Sequence, residues 1–373
     1  MEVYKLVMKI GVVTYHKADN YGAMLQAFAL AKYLDTTYND VEIVDYWPHY
    51  HAEVYKLWKW DGIYFRQCSW KSKIKYVVKA LLFASKKYIR HRNFARFSRI
   101  MNIVNDDGRL YDAAFYGSDT IWNIWKNNEL YSGFDSVYWG NEHVNAKYKF
   151  SYAPSMGNAL DDDMTKAHCQ KYLSNFKKIS VRENQLRLLL NKWGYNEVTH
   201  VVDPTCLLTK EQWDNYTPKR LVGEDYILCY NLERSFVIDK TANEYALRYG
   251  LKVVYLTPDF NLSKSPFIFD TAGPFEFLSL YKYASRVVTS SFHGVIFSLL
   301  FEKTFVFNSN HETERIESIL SLCGLNDHFI YEADIKKLEE TIDYILVSKQ
   351  INQLRTQGRQ YIAECLSIAN GNL

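Results

Sequence analysis

Several motifs that would identify a function directly are missing from this sequence of 373 residues. There is no glycine-rich G-x-G-x-x-G loop, so binding of a nicotinamide dinucleotide in the usual way is not expected. There is no H-E-x-x-H motif, and the 6 cysteines are scattered without a C-x-x-C pair. This spacing argues against zinc sites and a disulfide framework, so we expect reduced, buried thiols.

Long apolar runs are also missing. No stretch reaches the roughly 18 uncharged apolar residues that a membrane-spanning helix needs. The first residues lead straight into a predicted strand, without the apolar region and cleavage site of a signal peptide. We therefore expect a cytoplasmic protein, which could attach peripherally to the inner face of the membrane.

Acidic residues are absent from one segment, Gly62 to Asn105, which contains eleven Lys or Arg. The rest of the chain has 34 basic and 42 acidic residues, so the positive charge is local. Residues 70–99 have the spacing of two basic amphipathic helices. Their apolar faces could pack on the protein with the charges solvated, or dock on an anionic membrane surface. No nucleic-acid-binding module accompanies the charge, so no nucleic-acid partner is expected.

The remaining chain alternates strand-like and helix-like segments, which predicts an α/β fold with two Rossmann-like domains facing a cleft, as in B-type glycosyltransferases. The predicted N-terminal domain covers residues 1–217 and carries the basic, aromatic, helical insertion at 48–105. It would provide the acceptor side of a site. The predicted C-terminal domain covers 218–348 and would provide the donor side. Residues 349–373 are predicted to form a helix that packs back on the first domain.

The stretch Thr289 to Gly294 connects a β-branched strand to an apolar helix. Its small hydroxyl residues and its His-Gly pair fit an anion site at a helix N-terminus. They also fit a simple helix cap by a serine. Other polar residues follow predicted strands, where ligands bind in doubly wound domains. They are Asn20, Asp119, Arg182 and Asp203.

Seven sequence blocks, in this order, resemble the polysaccharide pyruvyl transferase family. The blocks are GVVTYH at 11–16 with NYGAMLQA at 20–27, YGSDTIWN at 116–123, SYAPSMG at 151–157, ISVRE at 179–183, VDPT at 202–205, YASRVVTSSFHG at 283–294, and EKTFV at 302–306. The resemblance extends from about Lys9 to Leu322. The basic insertion and the C-terminal helix lie outside it.

The resemblance implies transfer of the pyruvyl group of phosphoenolpyruvate onto two hydroxyls of a hexose. The products would be a cyclic ketal and phosphate. The implied acceptors are hexoses of surface-polysaccharide or cell-wall precursors, including oligosaccharides carried on polyprenyl diphosphate. Phosphoenolpyruvate would be the co-substrate, and neither a cofactor nor a metal is expected.

The resemblance also suggests roles for individual residues. His293 is the predicted catalytic acid or base. The residues expected to bind the donor are Arg182, Ser290, Ser291, Gly294, Lys303 and Arg315. The residues expected to bind the acceptor are Asn20, Tyr21, Gly22, Asp119 and Trp122, the last by stacking on a sugar.

One position departs from the family pattern. Many members have Arg-Leu-His-Gly where this chain has Ser291 to Gly294. If that arginine binds the donor, Lys303, Arg315 or Arg182 would have to replace it. Two alternatives therefore stay open, a B-type glycosyltransferase that uses a nucleotide-sugar and a non-catalytic sugar-binding component of a polysaccharide assembly complex.

Overall fold

A computed structural model describes residues 7–35, 39–55, 70–124, 133–157, 160–260, 265–310 and 314–371. The strands are β1 Met8–Val13, β2 Asn39–Val44, β3 Ile103–Val104, β4 Tyr111–Tyr116, β5 Ala146–Ser151, β6 Ser180–Val181, β7 Thr199–His200, β8 Tyr226–Tyr230, β9 Lys252–Leu256, β10 Ile268–Phe269, β11 Arg286–Thr289 and β12 Phe305–Phe307. The α-helices are α1 Tyr21–Leu34, α2 His49–Tyr55, α3 Trp70–Ser98, α4 Asp163–Tyr172, α5 Asn184–Lys192, α6 Lys210–Asp214, α7 Phe236–Tyr249, α8 Pro274–Tyr283, α9 Phe292–Leu300, α10 Glu314–Cys323, α11 Lys336–Glu339 and α12 Tyr344–Ala369.

Two five-stranded parallel sheets share one topology. The strand order is β3-β2-β1-β4-β5 in the first and β10-β9-β8-β11-β12 in the second. Numbered within each half, both orders are 3-2-1-4-5, which is the Rossmann order. The predicted α/β fold with two Rossmann-like domains is therefore confirmed. The order reverses between β1 and β4 and between β8 and β11, and ligands bind beside such reversals at the carboxyl ends of the strands.

The central strands are apolar because helices cover both faces of each sheet. Five of the six residues of β1 and all five of β8 are buried, in runs that are almost continuous. The largest buried apolar cluster includes residues of both domains, from Met8 to Cys365. The two sheets are thus joined by a shared core.

The carboxyl ends of β1 and β11 point toward each other. Helix α1 begins just after β1, and helix α9 begins just after β11. Gly22 in the first turn of α1 lies directly against the imidazole of His293 in the first turn of α9. The two points of strand-order reversal therefore face a common space.

The last helix, α12, returns to the first domain. The Nε atom of Arg355 donates to the Cys206 carbonyl (2.6 Å), and the Tyr361 hydroxyl donates to the Ser151 carbonyl (2.9 Å). The sequence suggests a long helical region from residue 335 onward. The structure instead has α11, a break at 340–343, and then α12. The side chain of Asp343 caps α12 by accepting hydrogen bonds from N–H groups of its first turn.

The basic insertion contains one continuous helix over the described part of 70–99, so the prediction of two helices there is wrong. Positions 56–69 of the insertion lie outside the described residues. The second half of α3 binds the C-terminal domain. Lys86 pairs with Asp270, Arg90 donates to the carbonyls of Asp270 and Thr257, and Arg96 pairs with Glu276. These three cations are not simply solvated.

Within the described ranges, none of the helices combines the length and the apolar composition that crossing a bilayer requires.

Candidate active site

The turn between β11 and α9 is fixed by its hydroxyl groups. Thr289 Oγ1 donates to the Tyr230 carbonyl (3.0 Å) and accepts from the Ser291 N–H (3.1 Å). Ser290 Oγ accepts from the backbone N–H groups of Leu232 (2.8 Å) and Glu233 (3.2 Å). These bonds hold the turn against the loop that follows β8. The Ser290 hydroxyl therefore supports the turn, and its direct role in donor binding remains a prediction.

Helix α9 starts without a side-chain cap. Ser291 occupies the N-cap position in an extended conformation, but its hydroxyl makes no capping hydrogen bond. The first intrahelical bond joins the Val295 N–H to the Ser291 carbonyl (3.0 Å). The N–H groups of residues 292–294 thus precede the hydrogen-bond ladder and carry the positive end of the helix dipole. This is the arrangement in which backbone groups bind anions.

Gly294 is needed for packing at this point. A Cβ atom there would lie 2.1 Å from Thr289 Oγ1 and 2.9 Å from Tyr281 Oη. Both distances are too short for any side chain. Gly294 therefore allows α9 to start close to the end of β11, and its role in donor binding stays a prediction.

His293 lies between the two domains. Its Nε2 atom is 3.6 Å from Asp203 Oδ2, which is too far for a good hydrogen bond and close enough for a charge interaction. Nε2 is buried and has no hydrogen-bond partner in the described part of the chain. The ring packs edge-on against Phe292, with 5.2 Å between the centroids, and against Gly22. A buried imidazole nitrogen without a partner is costly unless a ligand completes it.

Arg182 is the neighbouring cation and is also buried. Its Nη1 atom donates to Asp203 Oδ2 (3.0 Å), and its Nε atom donates to Glu183 Oε1 (3.1 Å). Its guanidinium carbon lies 5.0 Å from the centre of the Phe292 ring. Nη2 has no hydrogen-bond partner among the described residues. Nη2 of Arg182 is therefore left to donate to a ligand, while two carboxylates more than balance the charge of Arg182.

The charged side chains around Arg182 shift one another's pKa values. Burial lowers the pKa of Arg182, but the charges of Glu183, Asp203 and Asp119 more than offset that effect and raise it. Burial raises the pKa of Asp203, but interactions with His293, Arg182 and Thr205 outweigh burial. The pKa of this carboxyl therefore lies below its usual range. Asp203 and Glu183 together exceed the charge of Arg182 by one. A protonated His293 would make the four groups neutral.

A groove of about 350 Å³ adjoins this charged group. Arg182, Asp203 and Phe292 form the end nearest His293. Three side-chain amides of α12 line another side, and they follow helical spacing of three and four residues. The amides belong to Gln350, Gln353 and Gln357. Asn184 and His200 add two further polar groups. Amides both donate and accept, so this lining suits a ligand with several hydroxyls.

Asn20 and Tyr21 occupy the start of α1. Asn20 is exposed and caps the helix, since its Oδ1 accepts from the Ala23 N–H (3.2 Å). Tyr21 is buried, stacks on Phe277, and donates its hydroxyl to the Ala272 carbonyl (3.0 Å). The acceptor role predicted for Tyr21 does not fit, because this side chain joins the two domains.

Asp119 and Trp122 both follow β4, but they differ in solvent exposure. Asp119 is half-buried, and its charge acts on Arg182, so the structure brings it to the candidate site. Trp122 is fully buried and stacks on Trp139, with 4.3 Å between the ring centres. Its Nε1 donates to the Tyr138 carbonyl (3.0 Å). The predicted stacking of Trp122 on a sugar is therefore corrected, because the ring belongs to the core.

The three residues predicted to replace the family arginine are Lys303, Arg315 and Arg182. Lys303 follows the far end of α9, which at about 1.5 Å per residue is more than 10 Å from its N-terminus. Burial lowers the pKa of Lys303 to about 8. Lys303 therefore lies too far away to act as the donor's cation. The side chain of Arg315 lies outside the described part of the structure. Of the two candidates whose side chains the structure describes, Arg182 is the one placed beside His293.

Comparisons with known proteins agree with the sequence blocks. The family model described as polysaccharide pyruvyl transferase matches residues 20–312. No curated protein matches the chain. Solved structures match along nearly the whole length at low identity. The UDP-GlcNAc 2-epimerase of Methanocaldococcus jannaschii, in complex with UDP-GlcNAc and UDP, is 13% identical, with 97% of this chain and 100% of that one covered and a TM-score of 0.45.

Two further structures give similar values. A putative UDP-N-acetylglucosamine 2-epimerase from Listeria monocytogenes is 10% identical over 98% of this chain and 97% of that chain, with a TM-score of 0.48. A UGT transferase from Siraitia grosvenorii in complex with UDP is 12% identical over 96% and 99%, with a TM-score of 0.42.

Proposed function

Because the chain belongs to the polysaccharide pyruvyl transferase family, we propose that it transfers the pyruvyl group of phosphoenolpyruvate to a hexose. Two hydroxyls of the sugar would form a cyclic ketal, and phosphate would be released. The acceptor would be a hexose of a surface-polysaccharide or cell-wall precursor, including one carried on polyprenyl diphosphate. The observation that carries this proposal is His293 Nε2, which lies near Asp203 at the uncapped start of α9 and has no hydrogen-bond partner among the residues described.

Phosphoenolpyruvate carries a carboxylate and a phosphate, so its site needs positive potential. The N–H groups of residues 292–294 and the remaining donor of Arg182 supply it. The carboxylates of Asp203 and Glu183 prevent Arg182 from adding a full net charge. The start of the helix and a protonated His293 therefore carry much of the anion binding, which fits a site without the usual arginine at Ser291.

The reaction needs proton movement that one imidazole can perform. A proton is added to the methylene carbon of phosphoenolpyruvate, and C2 becomes open to attack by a sugar hydroxyl. The C2–O bond to phosphate breaks, and the second hydroxyl closes the ring. The two hydroxyls lose two protons in total. One balances the proton gained by the new methyl group, and the other ends on the phosphate. His293 is the proposed acid and base, with Asp203 Oδ2 lying 3.6 Å from its Nε2.

The acceptor is proposed to lie in the amide-lined groove beside Arg182. The side-chain amides of α12 can bond several hydroxyls, and Phe292 offers an apolar ring at the inner end. Asn20 and Asp119 remain candidates at the opposite rim. This arrangement would place sugar hydroxyls on one side of His293 and the donor on the other.

The test is incubation of the protein with phosphoenolpyruvate and a panel of aryl and lipid-linked hexosides. The expected result is release of phosphate together with a mass gain of one pyruvyl ketal on one acceptor. His293→Ala should abolish both. Turnover with nucleotide-sugars and none with phosphoenolpyruvate would instead identify a glycosyltransferase. If His293→Ala left the polysaccharide of the producing cell unchanged, the non-catalytic role would be favoured.

A further inference from the structure

Helix α3 has a composition unlike that of the other helices. Its 29 residues include nine Lys or Arg and no acidic residue. One side of its second half is committed to the C-terminal domain through Lys86, Arg90 and Arg96. Asn93 on the same side donates to the Thr271 carbonyl (2.9 Å). The helix therefore has a fixed orientation relative to both domains.

The face of α3 that points away from Arg90 exposes apolar side chains to solvent. These side chains are between 42% and 74% exposed and belong to Trp70, Val78, Leu81, Tyr88 and Ile89. At 100° per residue, their positions fall within about 100° of the helix circumference. We call these five residues the outer stripe. A surface helix of a soluble protein usually turns its apolar stripe inward, so an outward stripe indicates a binding partner.

The positive charge of α3 indicates what kind of partner binds the outer stripe. A second copy of α3 would bring one helix without acidic residues against another, and like charges oppose pairing of two chains through this stripe. An anionic lipid surface would take up both features at once. The apolar residues would enter the boundary between headgroups and acyl chains, and the positive charge of the helix would attract the anionic headgroups. Trp70 and Tyr88 are residue types that favour this boundary.

We propose that the outer stripe of α3 docks the protein on an anionic membrane surface. This inference goes beyond the proposed reaction and does not depend on it. It refines the expectation for residues 70–99, because it assigns the lipid contact to the outer stripe and excludes Lys86, Arg90 and Arg96. Each lysine near the surface contributes about fivefold to binding, at roughly 1 kcal/mol per charge.

The experiment uses the full chain and flotation with vesicles of phosphatidylcholine, with or without phosphatidylglycerol. We expect binding to the vesicles that contain phosphatidylglycerol and a decrease as salt is raised. The test variant is Val78→Ser/Leu81→Ser/Tyr88→Ser, which should bind at least tenfold more weakly. These side chains are exposed, so the variant should keep its fold, which circular dichroism and thermal unfolding will check.

A matched control removes three apolar groups that are even more exposed and lie elsewhere on the protein. Phe236→Ser/Leu247→Ser/Ile345→Ser changes three side chains that are at least 76% exposed and lie outside α3. It should bind vesicles as the unchanged protein does. Equal binding by the test variant and the control would overturn the proposal. Equal binding to both vesicle types would also overturn the proposal, as would a dimer that forms through the outer stripe and binds neither vesicle type. RNA binding lost in the test variant, without vesicle binding, would also overturn it.

Discussion

Replacing Gly22 by alanine tests the candidate site with a single added methyl group. Gly22 lies in the first turn of α1, and a Cβ there would be 2.1 Å from Nδ1 and 2.4 Å from Cε1 of His293. No polar or charged group is removed by this change. Gly22→Ala therefore perturbs the position of the imidazole and leaves the chemistry of the site intact.

The size of the effect follows from the distances. An ordinary van der Waals contact begins near 3.4 Å, so the imidazole must move by about 1.3 Å. A displacement of about 1 Å in a reacting group can lower the rate about 100-fold. Alanine is also a better helix former than glycine by up to about 1 kcal/mol, which offsets part of the steric cost. We expect kcat to fall about 100-fold, with a stability change of about 1 kcal/mol or less.

The assay is phosphate release from phosphoenolpyruvate with the acceptor that the panel identifies, and urea unfolding reports stability. Gly223→Ala is the matched control, since a Cβ at that position meets no atom within 4 Å. Full activity of Gly22→Ala would refute the reasoning, since the reaction would then not depend on where His293 lies.

Three further changes test other parts of the structure. Lys303→Met should leave the KM for phosphoenolpyruvate unchanged, and a raised KM would instead place Lys303 in the donor site. Burial lowers the pKa of Lys303 to about 8, below the unfolded value of about 10.4, so its charged form disfavours folding at neutral pH. Since the side chain is partly exposed, Lys303→Met should raise the free energy of unfolding by only about 1 kcal/mol at pH 7. In urea titrations that gain should fade between about pH 8 and pH 10.5, and a gain independent of pH would contradict the cause. Asp203→Asn should lower stability by about 3 kcal/mol in urea titration, because Arg182 loses a buried charged partner, and an unchanged midpoint would contradict the ion pair. Arg90→Met should cost about 1–3 kcal/mol, because the carbonyls of Asp270 and Thr257 lose its N–H groups, and no loss of stability would mean that α3 does not hold the C-terminal domain.

The fold could be predicted because its signals are local and repeated. Apolar strands of four to six residues alternate with helices that have apolar faces, and parallel sheets covered on both sides give this pattern. The helical insertion was harder to predict. The alternation of apolar and basic residues in 70–98 gave no sign that Arg90 and Arg96 bind carbonyl and carboxylate groups some 170 to 180 positions later. Long-range pairs of this kind leave no periodic trace in the sequence.

The candidate site was predicted in part, because some of its residues follow strands and others do not. His293, Gly22, Asp119 and Arg182 all follow strands, so the carboxyl-end rule brings them together. The same rule failed for Trp122, because position after a strand does not distinguish a side chain in the groove from one in the core. The amides of α12 were missed. Their spacing at 350, 353 and 357 was a visible signal, but the prediction that this helix packs on the first domain did not show that it also lines the groove.

Helix α12 has a consequence for how the protein is made. It contacts the carbonyls of Cys206 and Ser151 at sequence separations of 149 and 210 residues. At about 5–20 residues per second, the ribosome adds 149 residues in roughly 10 to 30 s. During that time the first Rossmann-like unit has an uncovered apolar surface where Tyr361, Ile362 and Cys365 will later be buried. The segment that carries Asp203 thus reaches its final packing only after most of the second unit has been synthesised.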